Sequence, residues 1–316
     1  MTPPPAAPTD APLASKTDAA LAAAARAGDR GALDALFRAH LPLIYNLVRQ
    51  AIGAGPDVDD VVQDILLRAL RQLHQLRDPA SFRPWLAAIA VHQVGTHLSG
   101  SEATAGSTAP LDAAAWQPDA DIEGSALLRV ELAGQRRQVR NASRWLAAED
   151  RALLSLFWLE TLGELTRAEL AGAYGVSVAH AGVLLQRMRE QLDLSRMVVV
   201  ALEAMPGCDE LSTLTANWNG APSPFWRKRI GRHVRSCPAC TSAGERMLPV
   251  ERLLAGVTVL AAPTTLGDAA ARIAATGTGP ASTGGVLDRI LATLRSHPGS
   301  VATVAGAAVL AVLAVV

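Results

Sequence analysis

Three residue types are scarce in this 316-residue chain, and each scarcity excludes something. Aromatics make up only 4% and β-branched runs are short, which argues against a strand-rich core. Alanine, leucine and arginine fill the space instead and favour helix, so the chain reads as all-α. Lysine occurs only at Lys16 and Lys228, leaving arginine to carry nearly all the positive charge. Basic and acidic residues balance at 29 each. With no net charge there is no global field toward nucleic acid, and any DNA contact must come from a local patch. No phosphate-binding loop, dinucleotide glycine fingerprint or pair of buried carboxylates is present, so the chain carries no enzyme signature. His40, His74, His92 and His97 are scattered and read as surface or satisfied core residues.

Cysteine is the third scarcity. All three cysteines, with one histidine, fall into a single pattern: Cys208, then His233-x3-Cys237-x2-Cys240. Cys₃His is one of the usual tetrahedral sets for structural Zn²⁺. A helix from Pro224 to about Cys237 puts His233 and Cys237 on one face, and Pro238 ends it one short turn before Cys240. Cys208 must come from an earlier element, so the ion would tie two helices together. The opposing reading is three ordinary thiols and a surface histidine. The lead-in MTPPPAAPTDAPLAS has neither the charged nor the apolar region of a secretory leader, and clustered Cys and His in a reducing compartment favour metal or redox chemistry over disulfides.

Residues 1–16 read as disordered, 17–98 as a helical domain, 99–124 as a linker without periodicity, and 125–195 as a second helical domain. The Cys/His module follows over 196–245, then a linker with short helices over 246–298. Residues 299–316 carry no charge and are almost wholly Ala, Val, Leu and Gly. At about 1.5 Å per residue they reach about 27 Å, close to the ~30 Å hydrocarbon core. This predicts a transmembrane helix rather than a buried core helix. Arg289, Arg295 and His297 on its N-terminal side would leave the preceding chain in the cytoplasm, tethered to the inner face of the membrane.

The stretch PDVDDVVQDILLRALRQL (56–73) predicts a helix with Val61, Ile65, Leu66, Ala69 and Leu73 buried and Asp59, Asp60, Gln63 and Asp64 outward. With ARAGDRGALDALFRAHLPLIYNLV before it and SFRPWLAAIAVHQ after it, residues 18–98 resemble region 2 of the extracytoplasmic-function sigma factors of bacterial RNA polymerase. The resemblance implies that Asp59, Asp60, Gln63 and Asp64 dock on the β′ clamp helices. It also implies that the segment containing Trp85, His92 and Gln93 meets the promoter −10 element. The family's arginines and asparagine after Trp85 are absent here, where the chain has Trp85-Leu86-Ala87-Ala88-Ile89-Ala90-Val91-His92.

Residues 145–192 resemble region 4 of the same family, which adds the β flap as a partner. The pattern ELAGAYGVSVAHAGVLLQRMRE predicts a helix-turn-helix, with Gly175 at the turn and Ser177 as the cap of the second helix. By resemblance Ser177, His180, Arg187 and Arg189 face DNA. Gly182 and Leu184 stand where the family commonly has cationic residues, so weak affinity for a −35 element is expected. The Cys/His spacing resembles the zinc-binding anti-sigma domain. Arg227, Lys228, Arg229, Arg232 and Arg235 make its helix basic, to bind phosphate, face water or pair with the acidic surface around Asp57–Asp64. The combined reading is a membrane-tethered sigma factor restrained by an intramolecular contact. The alternative is a degenerate sigma-fold protein, a tethered redox or zinc sensor without promoter recognition.

Overall fold

A computed structural model describes residues 13–104, 126–245, 247–254 and 259–276. Among them every regular element is helical and there is no strand. The lead-in's last proline is Pro12, and α1 (Leu13–Arg26) starts directly after it, so its first turn lies within the stretch expected to be disordered. Asp29 accepts a bond from the Ala32 N–H and opens α2 (Arg30–Ile52). The acidic helix is α3 (Asp57–Gln72), and α4 (Phe82–Thr104) continues beyond Ser99. These four helices share one apolar core. Leu36, Phe37, Ile44, Leu47, Ile65, Leu66, Phe82 and Leu86 are shut off from solvent, each burial contributing about 1.5–3 kcal/mol.

The second group is α5 (Ala126–Ser143), α6 (Ala148–Thr161), α7 (Arg167–Ala173) and α8 (Val178–Glu203). Thr166 and Glu169 form a reciprocal capping box at the start of α7. Gly175 takes φ +64 at the break, a conformation that L side chains rarely adopt. The Ser177 hydroxyl then accepts the His180 N–H to open α8. The pair bends by 87°, the angle of a helix-turn-helix. No glycine pair or proline interrupts the chain from Ser177 to Met205, so α8 passes through residue 195 unbroken.

Five short helices follow: α9 (Asp209–Leu214), α10 (Pro224–Ser236), α11 (Pro238–Ala243), α12 (Val250–Leu254) and α13 (Thr264–Thr276). α10 and α11 pack on the rear of α8, while α6 and α7 pack on α2 and α4. One compact unit therefore reaches Ala275 and contains both helical groups and the Cys/His module. Among the described residues no single helix is long and apolar enough to cross a membrane. The run 299–316, expected to be one, lies outside the described residues.

Candidate metal centre and nucleic-acid interface

The proline at the start of α11 forces the chain to turn at Cys237, which ends α10 and caps α11 at once. That turn brings Cys237 and Cys240 back toward His233, and Cys208, the cap of α9, closes the group. The four ligand atoms all lie within 4.8 Å of one another. His233 Nε2 is 3.5 Å from Cys208 Sγ and 3.4 Å from Cys240 Sγ, and Cys208 Sγ is 3.9 Å from Cys237 Sγ. A tetrahedron with Zn–S of about 2.3 Å and Zn–N of about 2.0 Å has S···S edges near 3.8 Å and S···N edges near 3.5 Å. The donor spacing fits such an ion.

The electrostatics point the same way. Backbone N–H groups of Cys240 and Ala239 aim at the Cys237 sulfur and hold its thiol below the ordinary 9.0. Cys240 is buried, and desolvation pushes its thiol up to about 12. A divalent cation is the charge that would keep all three sulfurs as thiolates. The outer ring nitrogen, His233 Nδ1, is 3.6 Å from the exposed carboxylate of Glu210, beyond hydrogen-bond length, while Nε2 is turned to the sulfurs. Glu210 went unnoticed in the sequence, although it stands two residues after Cys208.

The module sits on the second helical group through aromatic and arginine contacts. Trp218 bridges Trp145, before α6, and Trp226 on α10, with ring centroids 5.3 and 6.0 Å apart. Arg227 donates to the Trp145 carbonyl at 2.7 Å and to Gln191 Oε1 at 2.5 Å. A Cβ on Gly231 would lie 2.9 Å from Leu194 Cδ1, so α10 packs closely on α8 here and any larger residue would have to displace the Leu194 side chain. Arg227 is thus spent on this docking, while Lys228, Arg229, Arg232 and Arg235 are exposed. Among the described residues no ion pair links them to Asp57–Asp64; the module meets α8 rather than the acidic helix.

On α3, Asp60 and Asp64 are exposed and Asp59 and Gln63 half-buried, while Val61, Ile65, Leu66 and Ala69, with Leu73 just after the helix, are buried as the spacing predicted. On α4, Trp85 is half-buried with its ring 5.6 Å from Phe82, and His92 is exposed. Gln93 accepts from Arg68 at 2.6 Å and so braces α4 on α3. Ser177, His180 and Arg187 are exposed at the front of α8, beside Val178 and Val183, which are 52% and 50% exposed. Arg189 is different: it is bonded to Glu251 at 3.1 Å and lies over the Phe157 ring.

Unforeseen in the sequence is how the start of α4 meets α7. Arg83 reaches the Glu164 carbonyl and lies 3.6 Å from Glu169, the capping-box glutamate. A Cβ on Gly172 would come within 3.0 Å of Pro84 Cβ. The first helix of the helix-turn-helix therefore lies directly against the segment after the acidic helix.

Comparison with known proteins covers part of this chain. The family model Sigma-70 region 2 matches residues 36–103, which run from α2 to the end of α4. The ECF RNA polymerase sigma factor SigM of Mycobacterium tuberculosis is 33% identical over 134 residues, 42% of this chain and 67% of the relative. SigG of the same species is 29% identical over 192 residues, 54% of this chain and 50% of the relative. The ECF sigma-E factor of Escherichia coli is 26% identical over 161 residues, 49% of this chain and 78% of its own length. The chain thus spans half to about three-quarters of these relatives. No solved structure matches it. A chain whose described elements are all helical, that matches Sigma-70 region 2 and that is 33% identical to SigM over 67% of that relative belongs to the ECF sigma factors, non-enzymatic regulators of transcription initiation.

Proposed function

We propose that this sigma factor binds core RNA polymerase through Asp59, Asp60, Gln63 and Asp64 and promoter DNA through α4 and the front of α8. A zinc-bound anti-sigma-type module, held by Cys208, His233, Cys237 and Cys240, restrains it in cis. The observation that carries the reading is the covalent one: the helix offered to DNA is continuous with the helix on which the Cys₃His module rides. A bound Zn²⁺ supplies structural charge and fixes the α9–α11 fold. The residues around it set the restraint: Arg227, Trp218 and Trp226 hold the module on α8. Direct packing of α7 on α4 supports the same reading, because two segments that must each reach a separate promoter element are closed on one another. Tethering to the inner membrane face by residues 299–316 rests on their composition.

A second reading, a sigma-fold interaction protein without promoter recognition, is favoured by Val178 and Val183 on the outer face of α8, where base edges require hydrogen-bond donors. Run-off transcription with core polymerase separates the two. The reduced full chain should be silent, while the chain ended after Ala204 should give transcripts. Equal output from both refutes the restraint. Silence from both, with polymerase still captured, leaves the scaffold.

A further inference from the structure

The segment beyond the metal module is held by a set of contacts that neither the zinc pattern nor the helix-turn-helix accounts for. Four side chains, each at least nine-tenths buried, bond its backbone. Gln135 Oε1 accepts the Leu248 N–H at 2.8 Å, and Arg196 donates to the Leu248 carbonyl at 2.8 Å. Arg136 Nε donates to the Leu253 carbonyl at 3.0 Å. Asn46, 1% exposed and in the first helical group, donates to the Leu260 carbonyl at 2.7 Å and accepts the Leu260 N–H at 3.0 Å. Its second amide proton goes to the Pro42 carbonyl at 2.8 Å, so its donors and acceptor are all used.

These contacts do not all come from one domain. Gln135, Arg136 and Arg196 belong to α5 and α8, whereas Asn46 belongs to α2. The same segment buries Val250, Leu253, Leu254, Leu266, Ala270 and Ala274. It also carries Glu251, whose carboxylate occupies Arg189, one of the residues that the family resemblance turns toward DNA. Recognition runs through backbone N–H and C=O groups on either side of and within α12, together with the buried faces of α12 and α13.

We infer that residues 247–254 and 259–276 act as an intramolecular clasp, separate from the metal site, that bridges the two helical groups and masks Arg189. This rests on the proposed reading in which the closed arrangement is the silent one. Opening must then break the Asn46–Leu260 pair as well as shift the module. Leaving a buried polar group unpaired costs about 1–3 kcal/mol, so loss of one partner should multiply local opening about tenfold or more.

The test uses the full chain with zinc bound. Asn46→Leu removes the receptor amide, and Leu260→Pro removes the donor from the clasp while leaving both helical groups intact. Hydrogen exchange is followed in peptides spanning 247–254, 259–276 and the α4–α7 contact, with bound zinc measured in parallel. Exchange in all three regions should rise about tenfold or more in both variants, at unchanged zinc content. Glu251→Gln should strengthen binding to a duplex of arbitrary sequence at low salt. If the clasp peptides exchange faster while α4–α7 stays protected, the segment is a passive tail and the inference falls. If zinc chelation alone opens α4–α7 and neither variant does, the metal restraint stands and the clasp does not. If the variants open α4–α7 but transcription stays silent, the clasp stands and the silent-when-closed reading fails.

Discussion

His40 shows how a single side chain can tie the closed arrangement to pH. The residue is 5% exposed, its ring lies 5.3 Å from the Phe82 ring, and its Nε2 is 3.1 Å from Asp18 Oδ2. Burial dominates and lowers its pKa below the ordinary 6.5; Asp18 and Glu169 pull upward, and Arg83 pushes down. A histidine lowered in the folded state binds its proton more readily when unfolded. Its stabilising effect is therefore present above the ordinary value and is lost as pH falls through 6.5 toward the folded-state value. The melting temperature of the full chain should fall between pH 7.5 and 5.5, and His40→Gln should flatten that fall. A wild-type slope in the variant would assign the pH response elsewhere. The buried side chains that bond the backbone of 247–260 were the least legible in the sequence. Asn46, inside LIYNLV, and Arg196, inside SRMVVV, interrupt apolar runs. Their partners lie 214 and 52 positions away, and a side chain that bonds a distant backbone leaves no periodic trace.

Among the elements, α7 and α10 each approach a neighbour across a glycine. Gly172→Leu would drive a side chain into Pro84 and part α7 from α4 without touching the core of either group. We expect faster hydrogen exchange at the start of α4, an expanded scattering profile and unchanged zinc content. An unchanged profile would mean that α7 and α4 do not hold the two groups together. Gly231→Leu would instead lift α10 from Leu194 and free the module while α4–α7 stays closed, measurable as faster exchange in α10 alone. The helices themselves were readable: the buried stripe of α3, the Ser177 cap, the Gly175 turn and the Pro224 start all follow from local rules of spacing and capping. The contact of α7 with α4 was not, because it depends on small residues and one arginine pair that are ordinary in any single helix.

For the whole molecule, removing the metal should separate the parts by their source of stability. Modules of this size can owe about 10–16 kcal/mol of apparent folding energy to structural zinc at neutral pH. Chelation under reducing conditions should abolish protection across 209–243, while the core around Phe37, Ile65 and Leu86, built on apolar burial, keeps its own. Loss of protection in both would show that the module is needed for the first helical group to fold. The four ligands were legible as a set because cysteine is so rare here that every copy had to be accounted for, and their convergence to within 4.8 Å bears on that pattern directly.

From His180 at its front to Leu194 at its rear, α8 is one rigid rod spanning about 21 Å. Anything lodged at the tip is therefore held at a fixed reach from the part of α8 on which the metal module rests. A paramagnetic ion substituted among the sulfurs would turn the rod into a ruler, dimming resonances along α8 in order of distance. Swivelling of the metal module relative to the tip would register as a change in that gradient.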